Sequence, residues 1–585
     1  MKDTAQAVAA LIEPRPEMPF DLLFRDVTVV DVITGELRPC NVGVRGEYIA
    51  YVGEELAPAV RVVEGRGRYI APGFMDAHIH TEVSMLGLPE FARAVLARGT
   101  TAVFADPHEI ANVFGLDGFR LFIDPIGDLP LRVYLQVPSC VPNAAELEGT
   151  GGALSVEETD RLLDDESVVS LGEIPVSRLL DSARNAELLS KIASAHARRK
   201  PINGHAPATG RDLARFVAAG PNDDHTCISL EDGIAKIRAG MWIMIKESSL
   251  DKNLEALRPL LERFPHRCTL CTDDLLPDDL LAFGHMDHLI RKAIQLGTDP
   301  ARAIGAATFN TAQRHHLEEY VGSVTPGRLA DLVLLADLET VTVDQVYVGG
   351  QLVAEAGQVV TPIPSWELPA WATDSVHLPA LTPEAFLIPS ARDAEVRIIE
   401  ILSGGGARNR AGRWIAKSQD GFLRARNGVN HLSMINRYGR PRLANAFCRG
   451  FDIAGGAIAS TIAHDHHNLA VVGDSPESMW KAAQVIDAQG GGLAVVRGTE
   501  VVASLPLPVG GLMAEAALQE VAAGLSACSQ AAHELGCLLD SPFVSLSFIG
   551  LPTMPEYGLT DRGLVDVDAN ALVQVIVADP KVGCE

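Results

Sequence analysis

Between residues 74 and 316 the chain repeatedly changes period, from a short apolar run to a stretch with helical spacing and back. Strand-sized runs lie at 74–80, 101–106, 131–137, 168–174, 201–206, 223–227, 241–247 and 267–273. Helical periodicity fills several gaps, at 89–98, 185–199 and 253–264, and helices at 285–296 and 299–316 follow the last strand. Eight strands alternating with helices over roughly 240 residues predict an α/β fold, a (β/α)8 barrel of the TIM type, which typically needs about 250. The shortest unit, 228–240, is the least marked.

The flanks have a different texture. Leu22–Val30 and Asn41–Val52 alternate apolar and polar residues, and the pattern returns in Gly327–Leu335 and Val341–Val348. Period-2 segments broken by glycine read as strands. They predict a small β-sandwich built jointly from residues 1–70 and 323–360, with the barrel, 71–322, inserted between them. The Pro-rich run Thr361–Pro369 marks a linker, 361–375, and residues 376–585 read as a further α+β domain. That domain includes strands at Val396–Leu402 and Gly491–Val496 and a helix from Met513 to Leu535. Gly404–Gly406 and Gly490–Gly492 lack the spacing of phosphate-cradling loops, so turns explain them better.

Composition narrows the partners. The formal net charge of −26 repels a phosphate backbone, which excludes a nucleic-acid polymer but not a small neutral substrate. No apolar run reaches the ~18 residues that a membrane span needs. The opening Met1–Pro14 is too short and acidic for a secretory segment, so a reducing cytoplasm is expected, with the nine cysteines free. Cys268 and Cys271 have CxxC spacing without a second pair, inside an apolar strand, and read as buried structural thiols.

In parallel barrels the working residues sit at the carboxyl ends of the strands. Gly73–His80 ends the first strand with two imidazoles, and residues i and i+2 of a strand share a face, so His78 and His80 can grip one ion. The same reading of later strand ends gives Glu173, His205, His225 and Asp273. Four imidazoles and two carboxylates are about what two divalent ions need, with positions left for water and substrate.

With these residues in place, the chain resembles the amidohydrolase superfamily and, more narrowly, its adenine deaminases. The closer likeness rests on Pro72–His80, Asp106-Pro-His-Glu-Ile-Ala-Asn-Val113, Asn203-Gly-His-Ala-Pro207, Cys271-Thr-Asp-Asp274 and Gly284-His-Met-Asp-His288. Downstream, Leu505–Met513 and Leu559–Asp566 look like that family's C-terminal domain. Three departures stand out: Thr81-Glu-Val-Ser-Met85 where the family usually reads Ile-Glu-Ser-Ser-Met, Lys246 where Arg is expected, and His466 where Ser is common.

The resemblance implies hydrolysis of adenine to hypoxanthine and ammonia, with two divalent ions per chain, manganese or iron rather than zinc, and a homo-oligomer, a dimer favoured. Asp273 could ligate through one oxygen and move the water's proton with the other. Glu173 could bridge two ions, or bind one and protonate the ring. His108 and Glu109 face the same mouth, either to bind the purine edge, to hold Glu82, or to support a ligating imidazole. The plainer alternative is a helix start with Asp106 as cap and Pro107 in the first turn. Lys246 either meets substrate or pairs with a neighbouring acid. Asp274, His285 and His288 flank the last strand as supporting or surface residues, and His464-Asp-His-His467 either reaches the mouth or is a surface loop.

Rival readings fare worse. Dihydroorotases and hydantoinases mostly bridge their metals with a carboxylated lysine, whereas the fourth strand ends Ser170-Leu-Gly-Glu173. Cytidine-deaminase-type enzymes carry Pro-Cys-x-x-Cys, but here Arg267 precedes the pair. A barrel that has lost its chemistry predicts weak metal binding and no turnover.

Overall fold

The computed structural model describes residues 11, 19–402 and 409–577. The expected turn at Gly404–Gly406, and the opening segment apart from Leu11, lie outside them. Five N-terminal strands come first: β1 (Phe20–Asp31), β2 (Glu36–Arg45), β3 (Tyr48–Gly53), β4 (Ala59–Glu64) and β5 (Tyr69–Pro72). Four more follow the central region: β14 (Leu332–Asp337), β15 (Thr342–Val348), β16 (Gln351–Glu355) and β17 (Gln358–Val359). The two groups form one nine-stranded sheet, joined where β5 runs antiparallel to β14 with Ile70 opposite Leu334. Phe24, Val29, Val42, Leu332, Leu334 and Tyr347 bury one face of it, so both flanks share a core.

Between them lie eight strands: β6 (Phe74–Ile79), β7 (Thr100–Ala105), β8 (Arg132–Val137), β9 (Val168–Pro175), β10 (Ile202–His205), β11 (Asp223–Asp224), β12 (Trp242–Lys246) and β13 (Cys268–Cys271). They pair in parallel as a sheet of five, β6 to β10, and a sheet of three, β11 to β13. The sheets meet on one side through a parallel bridge between Ile79 and Asp273. On the other side Asn222 N donates to Ile202 O at 3.2 Å. The ladder between β10 and β11 is interrupted because side chains replace it. Asp223 Oδ1 accepts from Gly204 N at 2.7 Å and Asp224 Oδ1 from Ala206 N at 2.8 Å.

The helices follow the sequence period with local corrections. The stretch read as one helix over 253–264 is two short ones, Leu254–Leu257 and Pro259–Arg263, since Pro259 cannot donate within a continuous helix. The stretch at 299–316 likewise divides into Pro300–Ala306 and Phe309–Arg314. The helix expected from Met513 begins at Leu518, because Ala514 is in extended pairing with Leu86.

The C-terminal part carries a ten-stranded sheet, mostly antiparallel: β18 (Ile388–Pro389), β19 (Ala394–Ile401), β20 (Asn409–Gln419), β21 (Phe422–Arg424), β22 (Val429–Ile435), β23 (Leu443–Arg449), β24 (Gly456–Ser460), β25 (Leu469–Gly473), β26 (Gly492–Arg497) and β27 (Glu500–Pro506). Gly490–Gly492 turn the chain from helix Pro476–Gln489 into β26 with positive φ at all three positions, which only glycine adopts freely. The Pro-rich passage has no regular element before Ala370, yet Trp366 is buried beside Phe122 and anchors it.

One set of buried apolar side chains runs without a break from Val103 and Ile110 to Met434, Val472 and Leu525. The seam is also stitched by backbone: Gly87 N donates to Ala514 O at 2.8 Å, and Ala514 N to Met85 O at 2.9 Å. No described helix is long and apolar enough to cross a membrane.

Candidate active site

The six strand-end residues converge. Both His78 Nε2 and His80 Nε2 face Asp273 Oδ1, at 3.6 and 3.4 Å. Glu173 lies across from them: its Oε1 is 4.0 Å from His80 Nε2, and its Oε2 is 3.0 Å from His205 Nδ1 and 3.1 Å from His225 Nε2. His78 and His225 stack with ring centroids 4.7 Å apart. Asp273 adopts φ 58°, a left-handed conformation that Asp tolerates, directly after the last parallel strand.

Supporting groups fix which imidazole nitrogen is free. Asp106 O accepts from His80 Nδ1 at 2.9 Å, leaving the Nε2 lone pair inward. His78 Nδ1 is 3.3 Å from Gln136 Oε1, and its Nε2 is a buried nitrogen with no hydrogen-bond partner. An unpartnered buried lone pair facing carboxylates and imidazoles is what a divalent ion would satisfy, so this donor set fits one. For His78 the electrostatics agree, whereas Asp273 and Glu173 outweigh burial at His80 and His225 and raise both. Burial, then His225 and His80, hold His78 well below its usual range, in the neutral form that ligates. Burial alone would raise the Glu173 carboxyl, but His205 and His225 outweigh it and keep it well below the usual range.

Lys246 takes the second of the two roles the sequence allows. Its Nζ donates to Asp273 Oδ2 at 2.8 Å, and Asp251 lies 3.2 Å away. Asp273 therefore turns Oδ1 to the imidazoles and Oδ2 to the ammonium. Burial would raise this carboxyl too; Lys246, then His225 and His80, drive it well below normal. Asp274, next along, is pushed up to about 6 by burial and by Asp273.

His108 joins the cluster's edge, its ring centroid 4.3 Å from that of His80 and its Nδ1 4.0 Å from Glu173 Oε1. The helix-cap alternative for Asp106 fails: the helix begins at His108 after Pro107, with no side-chain cap. Asp106 Oδ2 instead accepts from Glu173 N at 2.9 Å, so it positions the strand end that carries Glu173. Glu82 is buried and accepts from Ile110 N at 3.2 Å, rather than being held by Glu109. Glu109 faces the C-terminal part, where both His464 and His467 pair with it.

His285 and His288 divide between the two alternatives left open for them. His285 is buried away from the strand-end cluster, between Thr100 (2.9 Å) and Asp76 (3.2 Å), and reaches the site only through Asp76, whose Oδ1 accepts from Thr272 N. His288 stacks on Phe283 with centroids 5.3 Å apart and is not part of the cluster. Both sit on or beside helix Met286–Gln295, which carries them off the last strand's end. The sequence reading also missed Gln136 and Asn203, which bond to each other under His78. Gln136 occupies a strand end, the same signal that singled out the ligand types. Cys268 and Cys271 are both buried and free.

A cavity of ≈ 140 Å³ lies between the two parts of the chain, walled by Val83, Met85 and Leu276 from the central region and by Ile462, His464 and Phe548 from the C-terminal part. His464 is buried against Glu109 and is not in an exposed loop.

Comparisons with known proteins agree with this layout. The model of the amidohydrolase family matches residues 69–353, and that of the adenine deaminase C-terminal domain matches 410–571. The chain is 39% identical over 580 residues to a protein named adenine deaminase from Moorella thermoacetica, covering 96% of each. It is 36% identical over 584 residues to one from Desulforamulus reducens, covering 98% of this chain and 99% of that one. A third, from Nitratidesulfovibrio vulgaris, is 38% identical over 554 residues, 94% and 95% of the two chains.

Proposed function

The chain belongs to the adenine deaminase family, and from that premise we propose that it hydrolyses adenine to hypoxanthine and ammonia at the strand-end cluster. We read the eight parallel strands as one (β/α)8 barrel with that cluster at its mouth. His78, His80, Glu173, His205, His225 and Asp273 would hold two divalent ions, manganese or iron. Bound there, such ions lower the pKa of water enough to supply a nucleophile at neutral pH.

The chain's own residues do the rest. Asp273 takes the proton released as water attacks C6. Lys246, bound to Oδ2, keeps that carboxylate ionised and in place. Loss of ammonia from C6 needs the proton delivered to the departing amine, and Asp273 returns it. Glu173, paired with His205 and His225, would help hold the ions, with His108 beside it on the purine edge and Asp274 and His464 completing the polar rim. One added water and one released ammonia balance the reaction.

The observation that carries the reading is the orphaned His78 Nε2 within one cluster of four imidazoles and two carboxylates. The test is to purify the full chain with manganese or ferrous iron, count metal per chain, and follow adenine, dihydroorotate and hydantoins. Conversion of adenine to hypoxanthine is expected. Fully metal-loaded protein that leaves adenine untouched would overturn the substrate, and hydrolysis of a cyclic amide instead would name its replacement.

A further inference from the structure

Glu109 is the centre of a second group of ligand-type side chains, assembled from two distant parts of the chain. His464 Nδ1 lies 2.6 Å from Glu109 Oε1, and His467 Nε2 pairs with Oε2. Around them, His108 Nε2 is 3.4 Å from Glu109 Oε1 and 3.9 Å from Asp465 Oδ1. All of Glu109, His464 and His467 are buried. Among the described residues, the side chains that pair with Glu109 are imidazoles; none is Lys or Arg. A carboxylate buried this deeply requires a positive partner; against burial, Glu109 pushes His464 up to about 9, so either a proton on that imidazole or a divalent ion can supply the charge.

The local backbone is arranged to make this group. Residues 464–467 form the turn between β24 and β25, and His467 sits there at φ 49°, in the left-handed region. That conformation brings two histidines three positions apart back to a single carboxylate, which stands on the first turn of helix His108–Phe114, 355 residues earlier for His464. One ligand atom from each of Glu109, His464 and His467 lies within 4.8 Å of the others. Two imidazoles and a carboxylate are a donor set that zinc, manganese and iron all accept.

We propose that Glu109, His464 and His467 form a divalent-metal site, separate from the strand-end cluster, that clamps the C-terminal part onto the mouth of the central sheet. It is the third ion of the chain if the strand-end cluster holds two, and it stands whatever the substrate proves to be. The competing occupant is a set of protons shared among the same imidazoles.

The test loads the full-length protein with manganese, removes the excess by gel filtration, and counts metal per chain. His467→Ala is expected to hold one ion fewer than wild type. Adding His467→Ala to the double variant His78→Ala/His80→Ala is expected to remove one further ion. Folded His467→Ala and Glu109→Gln proteins that bind as much manganese as wild type would overturn the site. If neither variant folds, anomalous scattering at the manganese edge from wild-type crystals decides. A peak among Glu109, His464 and His467 supports the site; a blank there beside an occupied strand-end cluster refutes it. Protein that shows this peak but fails to deaminate adenine loses only the substrate.

Discussion

His78 and His80 present Nε2 to the same carboxylate oxygen. His78→Ala or His80→Ala is expected to lower metal content and abolish turnover; full activity with full metal in either variant would remove the assignment. Asp273→Asn keeps a ligand oxygen but loses the proton acceptor. It should retain much of the metal while turnover falls roughly 100-fold or more, the usual scale of lost acid–base work. Gln136→Leu removes the acceptor that fixes the His78 tautomer, and should weaken metal binding about 10- to 100-fold by competition with a chelating dye. The six residues that converge were legible in the sequence because imidazoles and carboxylates closing apolar strands are unusual. Gln136 and Asp106 were not, since their partners lie two strands away in the sheet and appear only when it forms. The roles of His285 and His288 stayed open in the sequence because the helix that starts between them turns one toward Asp76 and the other against Phe283.

Strand placement was readable from hydrophobic period alone: β6 to β10, β12 and β13 fall within a residue or two of the predicted runs, and β11 is shortened to two residues. What period cannot encode is the junction beside β11, where two aspartates take over the pairing of the backbone. A comparable junction holds Glu173. Asp106, after β7, reaches its amide on β9 across the end of β8, and a Cβ built at Gly172 would collide with the same Asp106 carboxylate. Gly172→Ala should push Asp106 off Glu173, lowering turnover and metal retention more than a surface Gly→Ala such as Gly127, where the space is open. Equal turnover in the two variants would show that the strand end does not need this support. The sequence also suggested a free linker at 361–375, but Trp366 buries its indole there, a use of one aromatic side chain that a Pro-rich run does not announce.

Across the whole molecule, the apolar core is continuous from the parallel strands to the C-terminal sheet, so the parts are not independent in stability. Deleting residues 370–585 strips Ile462, His464 and Phe548 from the cavity wall and leaves Met85 and Leu86 without Ala514. The truncated protein is expected to aggregate, or to lose turnover if kept soluble; undiminished turnover by a soluble truncation would make the C-terminal part a bystander. The net charge of −26 adds self-repulsion that a smaller core would counter less well. The Glu109 turn has a practical meaning for anyone recombining such proteins. A graft of one relative's carboxyl-terminal half onto another's amino-terminal half joins two half-sites that must recognise each other, and the Glu109 helix start and the 464–467 loop have to be inherited as a pair.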